Sequence, residues 1–192
     1  MRAIGTITRL QIQRRSLKTG EKPTRRYDPG PLLSVARLNV TPDGALGGGE
    51  GGEWIVDIHH RAHPESKNPD GQHGISLGFT GHYAAMRDRF GSRIDVGCAG
   101  ENIIVDAPRQ FTLDELRNGI AIISPEGAEV LRLAVLDVAH PCRPFTGWAV
   151  GGVVENDVLK AHLQFLDGGM RGFCLAGEKT ALVSVGDRVA IL

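Results

Sequence analysis

The sequence is poor in aromatic residues, in cysteine and in net charge, and each shortage narrows the class of protein. Aromatic residues make up 5% of the 192 residues, so the core must be built mostly from Val, Ile, Leu and Ala. Lysine plus arginine equal aspartate plus glutamate at 22 each, which argues against a nucleic-acid or membrane-surface protein. The scattered Cys98, Cys142 and Cys174, with no CxxC pair, exclude a disulfide framework and a cysteine-rich zinc site.

Long apolar runs are also missing. No segment approaches the roughly 20 apolar residues that a bilayer-spanning helix needs. The N-terminal stretch MRAIGTITRLQIQRRS alternates polar and apolar residues and lacks the continuous hydrophobic segment of a signal peptide. A GxSxG serine elbow and a dinucleotide fingerprint are absent too. We therefore expect a cytoplasmic protein in a reducing compartment, without a membrane partner.

Period-2 alternation of apolar residues predicts that the chain opens with a strand over residues 4–12. Residues 14–30 are polar and basic and are expected to form a loop. The glycine-rich residues 41–52 lack the GK[ST] of a phosphate-binding loop and are expected to form a flexible hairpin excursion. Further strands are predicted at 32–40, 53–58, 102–106, 119–123 and 129–139, and two or three in the tail.

Helical spacing is rarer. Phe79, Tyr83, Met86 and Phe90 predict one helix, with Ser76 as its N-cap and Gly91 as its end. A second helix is predicted over 153–166, and TLDE at 112–115 has the spacing of a capping box. Many short strands with two helices predict a mostly β fold, a single β-barrel domain over residues 1–192 with a few peripheral helices. Loop insertions fall near 41–52 and 61–74.

Cys142 is the first candidate for chemistry. It lies in the stretch AHPCRPF, where Pro141 and Pro144 restrict the backbone on both sides. A thiol at a strand exit in so stiff a loop would be held in one orientation, and Arg143, if near the sulfur, would favour the thiolate. Burial as a small apolar side chain is the other interpretation, and the residue types leave both open. Cys174, inside the apolar stretch GFCLA, is expected in the core.

A group of histidines is the second candidate. The stretch DIHHRAHPE at 57–65, with one histidine downstream, could bind zinc or iron through imidazoles and nearby carboxylates. The HxH and HExxH spacings of familiar metal sites are missing, so histidines on a solvated loop are the alternative. The candidate ligands are His59, His60, His63 and His73.

A third stretch, GCAGENI at 97–103, combines two glycines with Glu101 and Asn102 at the start of a strand. Glycine lets the backbone approach another group closely, but a tight turn capped by Asn102 explains the same pattern. Arg171-Gly172 and Gly186-Asp187, taken singly, are ordinary turn residues.

Taken together, three motifs resemble the MOSC domain, the C-terminal domain of molybdenum-cofactor sulfurases and of many stand-alone bacterial relatives. They are GENI at 100–103, HPCRPF at 140–145 and MRGFCLAGEKTALVSVGDRVAIL at 170–192. Their order and approximate spacing agree with the family. The resemblance extends over residues 1–192 and is strongest from Gly100 onward.

The resemblance implies a mostly β barrel in which Cys142 is the functional, catalytic residue. In relatives this cysteine is proposed to carry sulfur as a persulfide or to ligate molybdenum, and both roles need a thiolate. The implied cofactor is the molybdenum cofactor (molybdopterin), held permanently or transiently. Arg143 and Arg171 would hold its pterin phosphate or ionise the thiol, and Glu101 and Asn102 would line the same pocket.

The resemblance also leaves choices open. The activity would be a sulfurtransferase or sulfur carrier, or a molybdenum-dependent oxidoreductase, with a cysteine desulfurase or a redox protein as partner. The family association with pyridoxal phosphate belongs to a desulfurase domain that this chain lacks, as it lacks an additional N-terminal barrel. DIHHRAHPE stands where relatives often have a shorter Gly-Asp-Arg-His-like segment. A histidine-based metal-binding barrel and a small-ligand binding module without turnover are the alternatives.

Overall fold

The computed structural model describes all residues from 1 to 192, which form fourteen strands and four helices. The strands are β1 (Arg2–Gln13), β2 (Lys18–Thr19), β3 (Arg26–Tyr27), β4 (Leu32–Val35), β5 (Arg37–Thr41), β6 (Gly44–Gly48), β7 (Trp54–Val56), β8 (Ile75–Phe79), β9 (Ile103–Asp106), β10 (Ile120–Ile123), β11 (Glu129–Val138), β12 (Phe173–Ala176), β13 (Ala181–Ser184) and β14 (Arg188–Ile191). The helices are α1 (Thr80–Phe90), α2 (Leu113–Leu116), α3 (Arg143–Val150) and α4 (Asn156–Leu166).

Seven strands form a closed barrel in the order β14-β10-β11-β12-β8-β9-β1, and β1 returns to β14 to complete the circle. The long strand β1 makes this closure possible, because Arg2–Thr6 pair with β14 while its later residues pair with β9 and then with β4. All barrel pairings are antiparallel except β8–β9, which the crossover helix α1 joins in parallel. The predicted mostly β barrel with peripheral helices is confirmed.

The barrel interior is filled by side chains. Alternate residues of the barrel strands point inward, and with residues of β5, β6, β13 and α2 they form a core cluster of 25 buried residues, mainly Val, Ile and Leu. Its aromatic members are Phe79, Phe111 and Phe173, so aliphatic side chains form most of this core, as predicted. A small barrel packed in this way has no room for a ligand on its axis, and a binding site must lie elsewhere.

A second layer covers part of the outer wall of the barrel. Helices α1, α3 and α4 and the β2–β3 hairpin pack there around a second core of 11 buried residues, which includes Ile104 of β9 together with Tyr83 of α1 and Phe145 of α3. Tyr27 of the hairpin packs edge-on against Phe145, with the ring centroids 5.1 Å apart. The space between the barrel wall and this layer holds the candidate site.

Two predictions made from the sequence for residues 32–52 are wrong. The stretch 32–40 is two strands that belong to different sheets, β4 next to β1 and β5 in a smaller sheet of order β13-β5-β6-β7. The glycine-rich stretch 41–52 contains strand β6 rather than only a flexible excursion. Packing explains the glycine in that strand, because a Cβ at Gly47 would lie 3.0 Å from Val35 and 3.1 Å from Ile12.

The helices also differ from the sequence-based expectation. Helix α1 begins at Thr80 rather than after Ser76, which lies in strand β8, and it ends at Gly91 as predicted. The capping box of Thr112 and Glu115 and the helix within 153–166 are confirmed. Helix α3 was not predicted, because two prolines at its start resemble a stiff loop, although proline is accommodated in a first helical turn. None of the four helices has the length and hydropathy to span a bilayer.

Candidate functional site

Cys142 is the N-cap residue of helix α3 and not part of a free loop. Its backbone is extended (φ −131°, ψ 147°), and its carbonyl oxygen accepts hydrogen bonds from the Thr146 amide and the Thr146 hydroxyl, both at 3.0 Å. Pro144 stands in the first helical turn, where its missing N–H costs nothing. The backbone around the thiol is therefore fixed, as the sequence predicts, but a helix start fixes it. The residue is partly exposed.

Arg171, rather than Arg143, supplies the cation beside the sulfur. Arg171 Nη1 lies 3.8 Å from Cys142 Sγ, and Nη2 donates to the Ala99 carbonyl at 3.0 Å. The guanidinium carbon lies 4.2 Å from the centroid of the Phe145 ring, a cation–π distance. Arg143 is exposed and forms no hydrogen bond or ion pair in the structure. The contact therefore places the positive charge of Arg171, not that of Arg143, next to the sulfur.

Two depressions flank this contact. The first, which we term the basic cavity, has a volume of about 440 Å³ and is lined by Arg171, Lys18, Arg25, Lys67, His59 and Glu65 among others. The second, which we term the thiol groove, has a volume of about 690 Å³ and includes Cys142, Arg143, Lys18, Lys22, Arg25 and the apolar Leu159. Their walls together carry six arginine or lysine residues and one carboxylate, so a chain of zero formal charge concentrates positive charge here.

The basic residues of the β2–β3 hairpin are the functional candidates that the sequence did not single out. Lys18 and Arg25 line both depressions, and Tyr27 anchors the hairpin by donating from its hydroxyl to the Cys98 carbonyl at 2.7 Å. The polar and basic composition of residues 14–30 was the one feature of the sequence that could have pointed to these residues. That composition did not indicate where the segment lies, because the hairpin is held at the site by tertiary contacts of Tyr27 with helix α3 and with the Cys98 carbonyl.

The carboxylate of Asp57 is hydrogen-bonded to Gln13 and His59, two residues that line the basic cavity. Its side chain is fully buried, and its two oxygens accept four hydrogen bonds: from the Gln13 amide (2.7 Å), Asn102 Nδ2 (3.0 Å), the His59 amide (2.8 Å) and His59 Nδ1 (3.0 Å). Asn102 also accepts from the Ser76 amide and hydroxyl through Oδ1, both at 3.0 Å. This carboxylate therefore ties strand β1, the 97–102 turn and the 57–60 turn together.

Glu101 and Asn102 lie behind the two depressions rather than on their walls. Glu101 is buried, its Oε2 accepts a short hydrogen bond from the Tyr83 hydroxyl, and its Oε1 has no protein partner. Burial raises the pKa of Glu101. The neighbouring Gly78 makes room for it, because a Cβ there would lie 2.7 Å from Oε1. Both residues position the turn that presents the Ala99 carbonyl to Arg171.

The structure does not bring the four candidate histidine ligands together. His60 is buried with Nδ1 accepting from the Ala62 amide at 3.1 Å, and burial lowers its pKa. His63 Nδ1 accepts from the Glu65 amide, His73 is exposed, and only His59 lines the basic cavity. Nowhere do three or more His, Cys, Asp or Glu side chains converge as metal ligands would. The geometry therefore offers no histidine-based metal site.

The other two cysteines differ from Cys142. Cys98 is buried, and burial raises the pKa of its thiol to about 12. Cys174 is only partly buried, contrary to the expected core position, because Phe173 and Leu175 occupy the inward positions of strand β12. Burial also raises the pKa of the Cys174 thiol. Among the three cysteines, Cys142 lines a groove and contacts a cation.

Comparison with known proteins places these observations in a family. The family model described as MOSC domain matches residues 72–190, so the chain belongs to the MOSC domain family, as its motifs indicated. No curated protein matches the sequence significantly.

Solved structures with the same fold include the YuaD protein from Bacillus subtilis, at 16% identity and a TM-score of 0.56, covering 97% of this chain and 92% of that one. YiiM from Escherichia coli matches at 14% identity and a TM-score of 0.53, covering 100% and 70%. YiiM from Geobacillus stearothermophilus matches at 15% identity and a TM-score of 0.50, covering 100% and 74%. At these identities the likeness concerns the fold alone.

Proposed function

We propose that this MOSC protein binds the molybdenum cofactor across the basic cavity and the thiol groove, and that Cys142 is the sulfur ligand of molybdenum. The observation that carries the proposal is the position of Arg171, which lines the basic cavity and contacts the Cys142 sulfur at 3.8 Å. A site for an anion and a site for a soft metal are thereby adjacent. The family is associated with molybdenum-cofactor binding or sulfur chemistry, which agrees with this arrangement.

The residues present fit the cofactor in three respects. A thiolate is a soft ligand of the kind that heavier transition metals accept. The walls of the two depressions carry six cationic side chains and one carboxylate, an excess of positive charge that suits the phosphate of a pterin cofactor. Arg171 Nε is buried without a protein partner and is a free donor. The volumes, about 440 and 690 Å³, lie in the range of cofactor and small-molecule sites.

Each residue then has a defined task. Cys142 would hold the metal, while Arg171, Lys18 and Arg25 would hold the anionic part of the cofactor, with Arg143 at the edge of the groove. Bound molybdenum supplies two-electron redox chemistry. Asn102, through Asp57, and Glu101, through Tyr83, position the wall and do not touch the ligand. Electrons would come from a redox partner protein.

Ligation of molybdenum is favoured over carriage of sulfur by the setting of the thiol. Cys142 is fixed at a helix start by two hydrogen bonds to its carbonyl oxygen, and it lines the thiol groove, which is large enough for a ligand. A sulfur carrier instead has to present its thiol to a sulfur donor, a desulfurase, and then its persulfide to an acceptor. A rigid, partly buried thiol suits a permanent ligand better.

The test is cofactor content. The protein is produced with added molybdate in a host that makes the cofactor, and molybdenum and oxidised pterin are measured per chain. Wild type and Cys174→Ser should contain both, and Cys142→Ser should lose molybdenum. Equal metal in Cys142→Ser and wild type would refute ligation. Metal-free wild type with a persulfide mass increment on Cys142 would support sulfur transfer instead.

A further inference from the structure

We propose that the outer part of the thiol groove binds an organic anion with an apolar body, and that such anions are the class of substrate that reaches Cys142. This part, which we term the outer groove, consists of the groove residues other than Cys142, Lys18 and Arg25, of which the last two also line the basic cavity. The substrate role rests on the proposed function, whereas binding of the anion can be measured without it.

Two glycines leave open space in the outer groove. A Cβ at Gly147 of helix α3, or at Gly152 after that helix, would meet no other atom within 4 Å. Seven of the 26 glycines share this property, and the other five have a positive φ, a conformation that by itself favours glycine. Neither packing nor backbone conformation therefore accounts for Gly147 and Gly152, and both line the same groove.

Gly147 is unfavourable for the helix in which it stands. Glycine within a helix is less stable than alanine, because it loses more conformational freedom on folding. Gly81 of helix α1 is explained by packing, since a Cβ there would overlap the Arg109 carbonyl oxygen. Gly147 has no such neighbour, so the effect of its missing side chain is to widen the outer groove. That space is available to a bound molecule.

The side chains around this space are mainly apolar. Val153 is fully exposed and is the most exposed large hydrophobic residue of the chain. Apolar side chains that line one groove favour an apolar molecule that removes them from water, unlike apolar residues scattered singly over a surface. The apolar residues of the outer groove are Pro23, Pro144, Val153, Val154 and Leu159.

The charges of the outer groove are of one sign. Lys22 and Arg143 line it, no aspartate or glutamate lines any part of the thiol groove, and neither cation belongs to an ion pair. A carboxylate would complement them, because arginine binds it through two parallel hydrogen bonds and lysine attracts it as a point charge. Cys142 lines the same groove, so an anion with an apolar body held there borders the thiol.

Three probes separate the apolar and the anionic requirement in NMR titrations of the full ¹⁵N-labelled chain. The probe 2-naphthoate has an apolar body and a charge, 2-naphthamide has the body alone, and acetate has the charge alone. We expect a Kd of about 1 mM or lower for 2-naphthoate, with shifts of the Gly147, Gly152 and Val153 amide signals. Binding of 2-naphthamide should be about fivefold weaker, and acetate should not shift these signals. Added salt should weaken 2-naphthoate and leave 2-naphthamide unchanged.

Variants test the same two requirements from the side of the protein. Lys22→Met combined with Arg143→Met should weaken 2-naphthoate about tenfold and change 2-naphthamide little. Arg117→Met, at an exposed arginine after helix α2, is the matched control and should behave as wild type. Gly147→Met should weaken both naphthalene probes about tenfold or more, because its side chain occupies the groove. The free energy of unfolding of Gly147→Met should equal or exceed that of wild type, so loss of binding is not loss of folding.

The outcomes separate this proposal from the proposed function. If 2-naphthoate did not shift the groove signals, or bound wild type, the double variant and Gly147→Met equally, the anion site would be refuted while the cofactor proposal stood. Wild type that binds 2-naphthoate as expected but never contains molybdenum would support the anion site and refute both the proposed function and the substrate role. Binding of phosphatidylglycerol vesicles without binding of 2-naphthoate would assign the outer groove to a membrane surface and overturn the proposal.

Discussion

Replacement of Asp57 by asparagine tests how far the architecture depends on one buried carboxylate. Asp57 is fully buried and accepts four hydrogen bonds from Gln13, Asn102 and His59. Asparagine has the same shape, but its amide group accepts through one oxygen and donates through nitrogen. Two of the four donors therefore lose their acceptor and face another donor.

The expected loss follows from that count. A buried donor left without an acceptor costs roughly 1–3 kcal/mol, so two such donors cost about 2–4 kcal/mol, with the part next to the exposed His59 ring at the lower end. A domain of ordinary stability has about 5–15 kcal/mol in total. For a chain of this size, each kcal/mol shifts Tm by roughly 2–4 °C, so Asp57→Asn should melt about 5–15 °C lower.

Urea unfolding followed by circular dichroism measures this loss, with an unchanged m value expected. Asp43→Asn is the matched control, because Asp43 is exposed and its nearest cation, Arg61, is 3.8 Å away. Such a surface pair contributes about 0–1 kcal/mol. If the free energies of unfolding of Asp57→Asn and Asp43→Asn agreed within about 0.5 kcal/mol, the view that Asp57 joins three segments would be refuted.

Three further predictions concern the cation, acid stability and the hairpin. Arg171→Met removes the hydrogen bond to the Ala99 carbonyl and should cost about 1–3 kcal/mol in urea unfolding, while the exposed Arg143→Met, which removes no hydrogen bond, should cost little; equal losses in both variants would contradict the assignment. Burial lowers the pKa of His82 to about 4, whereas unfolded histidine titrates near 6.5, so stability is present above pH 6.5 and falls by about 3 kcal/mol as pH drops to 4. His82→Gln should lose this part of the acid sensitivity in urea unfolding, and an identical pH slope would contradict it. Tyr27→Phe removes the bond to the Cys98 carbonyl and should cost about 1 kcal/mol in the same assay, with a change below about 0.3 kcal/mol counting against the anchoring role.

The barrel could be predicted because its residues carry a local signal. The alternation in β1 and β11 follows from which side chains face the packed interior, and each strand shows it without reference to its neighbours. Strand β6 was not predicted because the packing of Gly47 against Ile12, a residue distant in the sequence, is visible only in the structure. Helix α3 was not predicted because Pro141 and Pro144 resemble a loop until it is known that Pro144 lies in the first turn of the helix and Pro141 before its N-cap.

The candidate site was predictable in its residue types and not in its contacts. The sequence singled out Cys142 and Arg171, and the structure brings them together. It also suggested Arg143 as the cation, since adjacency in the chain is the one kind of proximity that a sequence shows directly. At a helix start, however, consecutive side chains point in different directions, and a residue 29 positions away reaches the sulfur.

The location of the site follows from how the barrel is filled. Because apolar side chains fill the barrel interior, the polar residues of the barrel strands and turns are left to the outer wall. There Asp57, Asn102 and Gln13 lie buried beneath the second layer and satisfy one another, so the layer can approach the wall without unpaired polar groups. Lys18 and Arg25 of the hairpin and Arg171 line the basic cavity next to this hydrogen-bonded network. A change in this buried network should therefore alter stability and the geometry of the basic cavity together, whereas a change in the barrel interior should alter stability first.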